Sequence, residues 1–159
     1  MFNHDRMKEK YMVSKEEIFV YKKILLAADG SDHATRAAHH AAHLATIEPD
    51  ATITIVYVVD PASSKHDVIA EGRSSTYLEE LRHERVRPVE EIVEQKGVSF
   101  DYKLLKGEPG PEIVHYANDE QYDVVVMGSR GLNTFQEVVL GSVSHKVAHG
   151  AKCPVMIVK

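Results

Sequence analysis

The sequence predicts an α/β domain, a parallel sheet covered by helices on both faces. Short runs rich in valine and isoleucine recur along the chain, at residues 22–28, 51–60, 98–104, 122–127 and 154–158. Segments with helical apolar recurrence lie between them and give the order β-α-β-α-β-α-β-α-β. Most of the strand runs are apolar on both sides, which suits strands buried on both faces. Right-handed crossovers are expected, with ligands bound beyond the C-terminal strand ends where the strand order reverses.

The elements follow in chain order. Residues 1–20 read as a polar extension, with a short helix allowed around Ser14–Phe19. Lys22–Ala28 (KKILLAA) is the first strand, and Asp29-Gly30-Ser31-Asp32 ends it. Ser31 or Asp32 can cap the next helix, about 32–46. Its alanines 34, 38, 41 and 45 share one side, and small residues allow a close approach to a sheet. Arg36, His39, His40 and His43 fall on the opposite, wet side. Ala51–Asp60 is a β-branched second strand. A variable loop, 61–67, precedes a long helix over 68–95, which Pro88 is expected to kink or break. Val98, Phe100, Tyr102 and Leu104 alternate in a third strand. Gly107-Glu108-Pro109-Gly110-Pro111 reads as a stiff loop, with Pro111 near the start of a helix over 112–118. Residues 122–127 are the fourth strand, a helix follows Gly141, and Pro154–Val158 is the last strand.

The chain has 159 residues, enough for one domain with a real core. Its net charge is −5, with basic and acidic residues interspersed, so no nucleic acid is expected as a main partner. No run approaches about 18 apolar residues, so no membrane span is expected. The N-terminus has no signal-peptide pattern. Cys153 is the single cysteine, which excludes an internal disulfide and reads as a packed thiol. A cytoplasmic location is the corresponding expectation.

The chemistry concentrates in DVVVMGSRGLNTFQEVVLGSVSHKVAHGA, residues 123–151. Three glycines, Gly128, Gly131 and Gly141, surround a loop that leaves the strand ending at Met127, and Ser142 opens a helix. Gly128 is expected to let the backbone turn and approach a ligand. The helix-start amides of Ser142, Val143 and Ser144 can point at a phosphate, with the Ser142 hydroxyl beside them. Ordinary turns with Ser142 as a helix cap are the alternative. No GxxxxGK phosphate loop is present. Asp29 stands at the expected switch point. It can accept from ribose hydroxyls or hold Mg2+ on phosphate oxygens, or simply make an Asp-Gly turn. Ala28 and Val56 or Val58 can offer an apolar slot for a base, and Gly107 can bring backbone beside it. Arg130 can reach terminal phosphates or be solvated; Lys146 and His145 read as surface residues, and Arg73 and Lys65 stay unassigned.

Ten histidines invite a metal reading, and His39/His43 and His40/His43 have helical ligand spacing. No further ligand completes a site, so a solvated face is the better account. There is no G-x-S-x-G elbow, and Glu79-Glu80 and Glu90-Glu91 lie on the long helix, so no catalytic residue is assigned.

Taken together, residues 22–45, 106–117 and 122–159 resemble the universal stress protein family, in its ATP-binding subgroup. Gly128-x2-Gly131-x9-Gly141-Ser142 matches that family's G-x2-G-x9-G-[S/T] pattern, and the resemblance covers 21–159. It implies a Rossmann-like open parallel five-stranded sheet, order 3-2-1-4-5, with helices on both faces. It implies ligand contacts at Asp29, Val58, Gly107, Ser142 and Val143, with a variable role for Arg130. It also implies a homodimer paired through the last strand, 154–158. One departure is Ala27, in LLAADGS, where the family has a V-P-x-D-G-S segment; Asp29 is retained, so binding is still expected. The domain reading is an extension over 1–20 and a nucleotide-binding domain over 21–159. The expected function is an ATP-binding stress-response or signalling protein, with Mg2+ accompanying the nucleotide and an unidentified protein as possible partner. A slow ATPase or phosphotransferase, and a nucleotide-free chaperone-like or structural dimer, are the alternatives.

Overall fold

The apolar run after Lys22 forms β1, Lys23–Ala27, whose Ile24, Leu25 and Leu26 are fully buried. The computed structural model describes residues 20–62, 74–130 and 140–159. The remaining elements are α1 (Asp32–Ala45), β2 (Thr52–Val59), α2 (Ser75–Gln95), β3 (Ser99–Lys106), α3 (Pro109–Asp119), β4 (Val124–Gly128), α4 (Ser142–Gly150) and β5 (Val155–Val158). The five strands form one parallel sheet in the order β3-β2-β1-β4-β5, as the family resemblance implied. The readings on residues 1–19 and 63–73, including the extension, Lys65 and Arg73, lie outside the described residues, as does Gly131.

The two-residue period of a strand divides the core between the sheet faces. Ile24, Leu26, Ile53, Ile55, Val124 and Val126 join the alanines of α1 and Val86, Val89 and Val93 of α2. Leu25, Ala27, Val56, Val125 and Met127 join Ile113 and Ala117 of α3 and Val147 of α4. A strand buried on both faces cannot alternate apolar with polar residues, which explains the continuous runs of β1 and β4. Thr54 is the buried polar exception on β2, and its hydroxyl donates to Asp101 Oδ1 at 2.8 Å.

Helix α1 buries Ala34, Ala37, Ala38, Ala41, Ala42 and Ala45, while Arg36, His39, His40 and His43 are exposed. Ser31 caps it by accepting from the Ala34 amide at 3.2 Å. Asp123 satisfies the amides leading into β1, its Oδ2 accepting from Lys22 N at 2.9 Å and Lys23 N at 2.7 Å. Ala27 pairs with Val56 on one side and Met127 on the other, so the family's proline is replaced here by a residue that continues the ladder.

Two sequence expectations are corrected. Helix α2 runs from Ser75 to Gln95 with Pro88 inside it, so of the kink or break expected at Pro88 the break does not occur. Pro88 lies on the exposed side, where water can satisfy the Glu84 carbonyl left without its amide donor. Helix α3 begins at Pro109, not Glu112, so the expected stiff loop is its first turn. First-turn amides have no intrahelical acceptor, and prolines there remove no bond.

Candidate functional site

The strand order reverses between β1 and β4, and a cleft of about 500 Å³ opens beyond the C-terminal ends of these strands. One wall is the end of β1, Ala27, Ala28 and Asp29. The opposite wall is the end of β4, Met127 to Arg130, with Gly141–Ser144 at the start of α4. Val56 and Val58 of β2 and Ile113 of α3 line an apolar side, and Glu108, Pro109 and Gly110 bring in the start of α3. Ala28 is tied to β2 through its amide, which donates to Val56 O at 2.9 Å.

Asp29 holds the β1–α1 turn, where its Oδ1 accepts from Ser31 N at 3.0 Å. The turn requires Gly30, whose φ is +84°. Asp29 therefore makes the Asp-Gly turn and lines the cleft as well. Its other carboxylate oxygen has no hydrogen-bond donor among the described residues.

The base of the loop that contains Gly131 is drawn closed. The Gly141 amide donates to Ser129 O at 2.9 Å, and Ser144 Oγ donates to the same oxygen at 2.9 Å. Gly141, not Ser142, is the N-cap of α4, and no side chain caps the helix. The first intrahelical bond runs from His145 N to Gly141 O at 3.0 Å. The amides of Ser142, Val143 and Ser144 come before it and have no acceptor among the described residues. All three residues line the cleft. The start of α4 thus presents donors and the positive end of its dipole to the cleft. Ser144 is buried, and its hydroxyl is turned toward the protein; only its amide is offered.

Several predicted residues sit differently from expectation. Gly128 is the last residue of β4, and a Cβ there would lie 2.6 Å from His33 Cβ and 2.9 Å from its carbonyl carbon. Its missing side chain admits α1 to the sheet, in addition to its place on the cleft wall. Gly107 does not line the cleft: its amide donates to Val59 O at 2.9 Å, and a Cβ would meet Glu112. Arg130 lines the cleft at intermediate exposure.

The cleft also contains residues that the sequence did not single out. Ser129 is buried, with Oγ 3.2 Å from His33 Nδ1. Lys146, expected as a surface residue, is ion-paired with Glu108 on the rim. Its position one turn into α4 was the available signal; its pairing with α3 depended on helix packing. The rim carboxylates are Asp29, Asp60 and Glu108, against the cations Arg130 and Lys146.

No group of three or more metal-ligating side chains occurs among the described residues, the histidines of α1 included. Cys153 is half-buried beside α3 and α4, and burial pushes its thiol up from the ordinary range. No helix among the described residues is long and apolar enough to cross a membrane.

The family model described as the universal stress protein family matches residues 20–159. The chain belongs to the universal stress protein family. Among its relatives, a universal stress protein of Methanocaldococcus jannaschii, MJ0531, is 37% identical over 88% of this chain and 83% of that protein. The universal stress protein YxiE of Bacillus subtilis is 34% identical over 88% of this chain and 100% of that protein. Among solved structures, the hypothetical protein MJ0577 superposes with a TM-score of 0.75 at 30% identity, over 88% of this chain and 96% of that one. A universal stress protein in complex with cAMP superposes with a TM-score of 0.63 at 26% identity, over 88% and 98%. That family placement accounts for the strand order and for a cleft at the β1/β4 reversal.

Proposed function

We propose that this universal stress protein binds ATP in the β1/β4 cleft, and that occupancy of the cleft modulates its conformation or its partners. The observation that carries the reading is the set of amides at Ser142, Val143 and Ser144 on the cleft wall, which have no acceptor among the described residues. Backbone amides at a helix start hold phosphate without a dedicated lysine. Across the cleft, Ala28, Val56 and Val58 supply an apolar surface suited to a base, and Asp29 supplies an acceptor suited to ribose hydroxyls. The donor set also fits Mg2+, which takes one or two carboxylates together with phosphate oxygens and water. Asp29 would be the protein ligand. A universal stress protein similar to this chain has been solved in complex with cAMP, which supports an adenine-nucleotide reading.

A homodimer is part of the same proposal. Strand β5 is an edge of the sheet, and an uncovered edge rich in valine and isoleucine favours pairing with a second copy. Pairing would join two copies at the strand next to β4, whose end lines the cleft, and so connect occupancy to assembly.

The test is Gly141→Val. A Cβ at Gly141 would lie 3.1 Å from Ser129 O, and a branched side chain would crowd the closed base of the loop. Calorimetry on the folded variant should show ATP affinity reduced at least about tenfold, the equivalent of ~1.4 kcal/mol. A variant with wild-type circular dichroism and undiminished ATP affinity would remove the phosphate site from consideration.

A further inference from the structure

Two charged side chains close one rim of the cleft, and neither belongs to the glycine motif. Lys146 Nζ donates to Glu108 Oε1, and both residues line the cleft. Glu108 is the N-cap residue of α3, and Lys146 lies one turn into α4. Gly110 makes this pairing possible. A Cβ there would lie 2.8 Å from Lys146 Cδ and 2.9 Å from its Cβ, so the lysine stem crosses α3 in space that a side chain would fill.

The lysine also points the right way. Helical Cα–Cβ bonds tilt toward the helix N-terminus. From Lys146 back to Ser142 is roughly 6 Å along the axis, at about 1.5 Å per residue. The flexible methylene stem of a lysine covers a similar distance, so the ammonium, bonded to Glu108, is within reach of a phosphate held at the amides of Ser142, Val143 and Ser144. Glu108 is its partner across the rim. The two side chains are 50% and 58% exposed, so their bond is weak and easily exchanged.

One phosphate can be held by helix-start amides alone. Each further phosphate adds negative charge that those amides do not neutralise, and Arg130 and Lys146 are the cations on the cleft wall among the described residues. We propose that Lys146 sets the preference of this cleft for polyphosphate over monophosphate nucleotides, leaving Glu108 for the phosphate tail when one is bound. Glu108 holds the lysine in reserve and, by competing for it, limits polyphosphate affinity. This inference rests on the nucleotide reading above and assigns a specificity residue within it.

The experiment measures ATP and AMP affinity by calorimetry on the full chain, in EDTA so that no metal masks the phosphate charge. Lys146→Gln should weaken ATP binding about 5- to 10-fold and AMP binding less than about 2-fold. Glu108→Gln should tighten ATP binding about 2- to 3-fold, and should have no effect in the Lys146→Gln background, because the two act through one bond. Thermal melts confirm folding, which half-exposed side chains should leave unchanged. If the wild type binds both nucleotides and Lys146→Gln weakens both alike, or neither, the inference is overturned while the nucleotide reading stands. If the wild type binds neither nucleotide, both are overturned.

Discussion

Gly128→Ala separates two jobs that a glycine at the end of β4 can do. If Gly128 serves the ligand, adding a methyl group should weaken binding and leave the fold alone. The structure assigns it first to packing. The added Cβ would sit 2.6 Å from His33 Cβ, 2.9 Å from His33 C and 3.2 Å from Ala34 N. Two of these three atoms are backbone, so no rotamer change relieves the contact. Helix α1 must move away from β4 by about 1 Å to restore ordinary contact distances. A radial gap of that size forfeits roughly a quarter to a half of each dispersion contact it opens. The affected contacts are those of Ala34, Ala37, Ala38 and Ala41, all at 2% exposure or less. Overpacking of this kind costs ~1–3 kcal/mol, and the backbone contact puts Gly128→Ala at the upper end, ~2–3 kcal/mol. For a chain of this size that is a fall in Tm of roughly 5–10 °C. Urea and thermal unfolding followed by circular dichroism measure it. Gly141→Ala is the control: its Cβ meets only Ser129 O as closely as 3.1 Å, at φ −61°, so it should lose about 1 kcal/mol or less. A Gly128→Ala protein as stable as wild type but impaired in nucleotide binding would refute the packing assignment.

Two further predictions concern the frame around the cleft. Ser31→Ala leaves the buried Ala34 amide without its cap and should cost ~1 kcal/mol, read as a lower urea midpoint at unchanged slope. Tyr102→Phe should flatten the alkaline limb of stability: burial pushes the Tyr102 phenol up to about 12, and its buried hydroxyl has no hydrogen-bond partner among the described residues. The folded pKa lies above the unfolded value of about 10, so Tyr102's stabilisation is complete below pH ~10 and is lost as pH rises toward ~12. Unfolding midpoints measured from pH 9 to 12 should fall more steeply for the wild type than for the variant, and parallel slopes would contradict the assignment.

The sequence alone determined the element order, because strands buried on both faces must be apolar throughout and the alanine helix must present its small face to them. It also narrowed the cap of α1 to Ser31 or Asp32 and put Asp29 at the end of β1, since both are effects of residues within a few positions; the structure chose Ser31 as the cap and the Asp-Gly turn for Asp29. The glycine spacing picked out the helix start of α4, which the structure places on the cleft wall, although Gly131 lies outside the described residues. Pro88 and Pro111 misled because a proline's effect depends on whether its missing amide was needed. On the exposed side of α2, or in the first turn of α3, it was not. Tertiary structure decided the rest. Gly128 could be recognised as a packing glycine only once α1 was laid across β4, and the bond from the Gly107 amide to Val59 could be seen only once β3 was paired with β2. The Glu108–Lys146 pair joins residues of two different helices. Such contacts arise from the geometry of helix packing on a sheet, and no local spacing in one sequence encodes them.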